Sequence, residues 1–243
     1  MPLSIAILDI YTNFGGNKMK GILKPIGLGA LVGLILILIQ NIFKIDDAIF
    51  QDTVLIIFVL IIVGSILFNA IFVRKYQKRI HRQIALLEQG KQKEALLDMQ
   101  AMLEDAQKKR MKNIVRVCRL NMTAALCDLK EYNKALGILN DLGKDKLRGN
   151  ELFVYDLNLC ACYFYLGRYE EGLDVYDRSY TVFQRFKDNP FYGGYVAVVT
   201  IWAMVALGDK DQARTMLANA KVRWDKERLY EDYRMLDSIL YDK

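Results

Sequence analysis

Cysteine, histidine, paired carboxylates and a run of cations are the residues of this 243-residue chain with chemistry to offer. Cys118, Cys127, Cys160 and Cys162 lack metal-ligand spacing, since two residues apart on a helix is about 200° around it and cannot converge on one ion. They read as reduced structural thiols. The single histidine, His81, stands among Arg74, Lys75, Lys78, Arg79 and Arg82, with no partner set for a metal or a Ser-His-Asp triad. Asp46/Asp47 and Glu170/Glu171 are chain neighbours rather than facing pairs, and no Gly-rich phosphate loop or nucleophile motif occurs. The sequence therefore predicts no catalytic residue, no metal and no cofactor. Lys108, Lys109, Arg110, Lys112, Arg116 and Arg119 place six cations in 12 residues without an acid between them. Such a run suits a solvated helix face first. Anionic lipid headgroups or an acidic partner come next, and nucleic acid comes last because no recognised binding motif accompanies the charge.

The elements that must position these residues divide sharply. The chain is 53% apolar yet 26% charged, and both hold because the apolar excess lies in the first 73 residues. Residues 25–43 and 53–73 carry no charge over 19 and 21 positions. As helices they would run ~28 and ~31 Å, the thickness of a bilayer core. Lys18, Lys20 and Lys24 precede the first run, and the cations from Arg74 to Arg82 follow the second. The connecting residues 44–52 hold Lys44 against Asp46, Asp47 and Asp52. This asymmetry predicts a transmembrane hairpin over residues 21–73 with both termini cytoplasmic, and the simple hairpin without organelle targeting points to a multi-pass protein of a bacterial plasma membrane. The first run is too long for a signal peptide and no clean cleavage site follows it. Residues 1–20 read either as a short interfacial segment or as the product of a misassigned start, Met19 being a normal beginning for a hairpin. Gly29 and Gly33 have the spacing of a close helix contact.

Residues 74–243 contain almost no strand pattern, and four segments share one punctuation. Aligned on a small residue that opens a second helix, they give Ala95, Ala135, Gly172 and Ala213, spaced by 40, 37 and 41 residues. Five positions earlier stand Gly90, Lys130, Gly167 and Gly208, where a turn calls for a left-handed backbone. Tyr132 and Tyr169 follow their turns by two residues. A more charged final segment, 222–243, reads as a capping helix with Trp224, Leu229, Tyr233, Leu236 and Leu240 as its buried stripe.

This punctuation resembles the tetratricopeptide repeat. The third segment fits best, with Asn158, Leu159, Cys160, Tyr163, Leu166, Gly167, Tyr169, Gly172 and Tyr176 in register. Together with the two transmembrane helices read from the uncharged runs, the resemblance implies an all-α chain in which a cytoplasmic α-solenoid of about four helix pairs plus a cap follows the hairpin. It also implies a concave groove lined by the first helix of each pair. The family's groove positions project onto Leu120, Ala124 and Asp128, then Leu157, Ala161, Phe164 and Tyr165, then Tyr195, Val198, Trp202 and Val205. Such an apolar and aromatic lining suits a protein partner's helix or extended segment. The function expected is therefore a membrane-anchored adaptor that recruits a protein partner and is not an enzyme. Two other readings stay open: an accessory subunit of a translocase or envelope-synthesis complex docking through the spans, or a structural protein engaging anionic lipid.

Overall fold

The computed structural model describes residues 47–145 and 147–241, and there every regular element is helical. In chain order these are α1 (Asp47–Glu88), α2 (Gln92–Lys108), α3 (Lys112–Asp128), α4 (Tyr132–Leu142) and α5 (Asn150–Tyr165). They are followed by α6 (Tyr169–Phe186), α7 (Gly193–Ala206), α8 (Lys210–Arg223), a 3-10 turn (Glu227–Leu229) and α9 (Tyr230–Tyr241). The chain divides into two compact units, one holding residues 11–80 and the other containing His81–Lys243.

In the first unit the described structure is the N-terminal part of α1. Leu55, Ile56, Phe58, Leu60 and Ile66 are exposed there, whereas Tyr76 and Ile80 are buried. Among the described residues, no helix is long and apolar enough to cross a membrane. This corrects the expectation of two transmembrane helices, and with it the multi-pass plasma-membrane placement and the cytoplasmic termini. Residues 1–20 and 25–43, including Gly29 and Gly33, lie outside the described residues. Arg74, Lys75, Lys78 and Arg82 are exposed along α1, and Arg79 is half-buried.

The second unit is an array of helical hairpins. α2 packs on α3, α3 on α4, α5 on α6 and α7 on α8, while α3, α5, α7 and α9 also touch in succession to form an inner row. The turns explain why the helices stop where they do. At the end of α3 the amides of Leu129, Lys130 and Glu131 reach back to the carbonyls of Ala125, Cys127 and Leu126 at 3.1, 2.9 and 2.8 Å. The same three-bond pattern closes α1, α2, α5 and α7. It needs one left-handed residue each time, supplied by Gly90 (φ 74°), Arg110 (φ 55°), Lys130 (φ 61°), Gly167 (φ 72°) and Gly208 (φ 80°). At one junction a side chain helps, Asp209 Oδ1 accepting from the Gln212 amide at 3.0 Å to cap α8.

The small residues that open each second helix are all buried: Ala95, Ala135, Gly172 and Ala213. Their role is clearest at Gly172, where a Cβ would stand 2.5 Å from Cε1 of Phe164. Its carbonyl instead accepts from Cys160 Sγ at 3.3 Å. A hydrogen bond also joins the inner row, Asn158 Nδ2 on α5 donating to Thr123 Oγ1 on α3 at 2.8 Å, while Thr123 Oγ1 donates within α3 to the Leu120 carbonyl at 2.7 Å.

A pair of turn substitutions isolates the backbone contribution. A Cβ on Gly167 would meet nothing within 4 Å, so Gly167→Ala is expected to lose about 1–2 kcal/mol from left-handed strain alone. Arg110→Gly relieves the same strain and is expected to gain up to about 1 kcal/mol, less the added chain entropy of glycine. Shifts of opposite sign in the urea midpoint, at unchanged slope, check both.

Candidate functional site

A cavity of about 320 Å³ opens where the C-terminal ends of α3 and α5 meet the start of α9. Each wall follows from the local fold. Asp128 is the last residue of α3, Lys130 the left-handed turn residue, and Tyr132 the first residue of α4. Tyr165 ends α5, while Glu231 and Asp232 lie in the first turn of α9, with Arg234 and Met235 one turn further on. The Tyr132 and Tyr165 rings stack at 4.8 Å between centroids and 7° between planes. Trp202 backs Tyr165 edge-on at 5.5 Å. Aromatic surface therefore forms one continuous side.

Charge is arranged unevenly around these rings. Lys130 Nζ pairs with Glu231 Oε1, and the ammonium holds the Glu231 carboxyl below its usual range. Asp232 is only 4% exposed. Its Oδ1 accepts the Tyr165 hydroxyl proton, but its Oδ2 has no hydrogen-bond partner. Burial dominates over that one hydrogen bond and pushes the carboxyl up to about 6. Burial likewise raises the Tyr132 and Tyr165 phenols. A buried acceptor oxygen left unmet beside a cavity is ready for a donor from outside.

Cys127 forms the floor, its Sγ 3.5 Å from Cys162 Sγ. All four cysteines are buried. The hydrogen bond to Cys162, then burial, raise the Cys127 thiol well above its normal range. Essentially none of the four thiols is expected to react with an aromatic disulfide reagent in the native protein, whereas all four react after denaturation.

Most of the sequence-derived groove residues lie inside the array. Leu120, Ala124, Leu157, Ala161, Phe164, Tyr195, Val198 and Trp202 are buried, filling the spaces between inner-row helices. Tyr165 is half-buried and reaches the cavity, as does Asp128. The other cavity residues carry no repeat punctuation, apart from Lys130 and Tyr132. Asp232 did leave a trace in the sequence, sitting three residues after Leu229 and four before Leu236 on the helix's apolar stripe.

The basic run is broken by the Arg110 turn and does not share one helix face. Lys108, Lys109, Arg110 and Lys112 are exposed at the corner between α2 and α3, with Lys109 paired to Asp105 at 2.8 Å. Arg116 and Arg119 are half-buried, and Arg116 contacts Glu151 Oε2 at 3.3 Å and Asn113 Oδ1 at 3.0 Å. Comparison with protein-family models, with curated proteins and with solved structures finds no match for this chain.

Proposed function

We propose that the helical array is a protein-interaction module of the tetratricopeptide kind, which acts by binding a partner at the α3–α5–α9 cavity rather than by catalysis. One observation carries the proposal: a cavity of about 320 Å³ walled by stacked tyrosines and by a buried carboxylate with an unmet acceptor oxygen. A pocket of that size, with an aromatic wall and convergent charged groups, suits one or two anchoring side chains. The repeated turns and the buried small residues support the family assignment.

In-cell photo-crosslinking tests this reading. A photoreactive residue at Met235, 42% exposed on the cavity rim, is expected to give a discrete protein adduct, while the same residue at Val222, 85% exposed on α8, does not. The adduct should disappear in Tyr132→Ala with helix content unchanged. Equal adducts from both positions, or none from Met235, would overturn the proposal.

A further inference from the structure

We propose that the cavity recognises a cationic side chain of the partner, an arginine guanidinium above all, by stacking it on the Tyr132–Tyr165 wall and hydrogen-bonding it to Asp232 Oδ2. The inference rests on reading the cavity as a partner site and names the chemistry of its occupant. A carboxylate oxygen can only accept, so the unmet Oδ2 calls for a donor. A charged donor offsets the lost hydration of the carboxylate most fully.

The surroundings favour positive charge. The cavity residues include three acids, Asp128, Glu231 and Asp232, against Lys130 and Arg234, and the Lys130–Glu231 pair answers one charge of each sign. Two helices, α3 and α5, end at the cavity, and helix C-termini carry partial negative charge. The start of α9 has the opposite polarity, but Glu231 and Asp232 in its first turn already answer it. Stacked tyrosine faces attract guanidinium groups, which are planar and weakly hydrated. The fold uses the same chemistry internally, Arg168 lying 4.7 Å over the Tyr163 ring and Arg228 5.2 Å over Tyr195.

The test uses small probes on the full chain at pH 7.5, read by NMR of ring-labelled tyrosine with Tyr132→Phe to assign the Tyr132 signal. N-acetyl-L-arginine amide is expected to shift the Tyr132 and Tyr165 resonances saturably. N-acetyl-L-citrulline amide keeps the shape without the charge and should bind roughly tenfold more weakly or less, the equivalent of about 1.4 kcal/mol. Asp232→Asn should abolish the preference for arginine over citrulline, and Tyr132→Ala should weaken both probes. Equal binding of the two probes, an unchanged preference in Asp232→Asn, or a response to methyl phosphate in place of arginine would each overturn the inference. A partner crosslinked at Met235 alongside such a failure would sink only the cationic occupant. Selective arginine binding without any crosslinked partner would instead leave the site's chemistry standing and remove the protein-binding reading.

Discussion

Truncating Phe153 to alanine is expected to destabilise the array by about 3–5 kcal/mol, the largest loss of any single substitution considered. The ring is fully buried on α5 and stands at the joint between consecutive hairpins. It stacks on Phe186 at 3.9 Å, meets Phe183 edge-on at 6.1 Å and meets Tyr192 edge-on at 5.1 Å. Those partners come from α6 and from the turn before α7. The turn is itself fixed by Asn189, whose Oδ1 accepts from the amides of Phe191 and Tyr192 at 2.9 and 3.1 Å. Removing the ring leaves a cavity bounded by three elements that cannot all collapse inward, so both transfer and cavity contributions are lost. Phe191→Ala is the control, because that neighbouring ring is 49% exposed and should change stability by less than about 0.5 kcal/mol. Urea denaturation of both variants checks the contrast. A loss below about 1 kcal/mol for Phe153→Ala would mean the hairpins are joined elsewhere.

Asp232→Asn should do the reverse and stabilise the protein, but only above acidic pH. The Asp232 carboxyl titrates at about 6 in the folded chain, against 3.8 for an ordinary aspartate. A raised folded pKa means the native state holds the proton more tightly than the unfolded chain does. The stability from this group is therefore fully present below about pH 4 and is lost as pH rises through 6. A displacement of that size corresponds to about 3 kcal/mol at neutral pH. Asparagine keeps the Oδ1 acceptor for the Tyr165 hydroxyl and carries no charge. Its expected gain at pH 7.5 is a large part of that amount, falling towards zero at pH 4. Urea midpoints at the two pH values measure the difference. A variant less stable than the parent at pH 7.5 would show that the carboxylate is paired and ionised. The account thus joins a gain in stability to a loss of arginine binding in one substitution, as expected where a strained group serves recognition.

Local features were legible in the sequence because their causes are local. A left-handed turn after an apolar helix is announced by glycine, and Gly90, Gly167 and Gly208 were readable on that ground. Lys130 was readable only by its spacing from them. Arg110 adopts the same conformation but sits in a run of cations, where nothing in its side chain marks a turn. Ala95, Ala135, Gly172 and Ala213 were readable because close helix crossing demands small residues. The expected capping helix over 222–243 is broken: α8 ends at Arg223, Leu229 lies in the 3-10 turn and only Tyr233, Leu236 and Leu240 of the stripe lie on α9, where they are buried.

The site was harder to see because it is assembled across distance. Tyr165 and Asp232 are 67 residues apart in sequence, and neither residue's local pattern points to the other. The groove positions supplied by family resemblance describe which helices face inward. They do not show whether facing side chains leave a space, and here most of them meet and fill it. Uncharged length predicted transmembrane helices, but hydropathy reports only what is apolar in the chain. Among the described residues, no helix is long and apolar enough to cross a membrane.

The most direct test of the central claim is hydrogen–deuterium exchange on the full chain, free and carrying the partner crosslinked at Met235. The cavity account predicts slowed exchange confined to the turn at residues 129–132 and the first turns of α4 and α9, with α1 and α8 unchanged. Protection on α1 or α8 with none at those turns would place the partner elsewhere and contradict it.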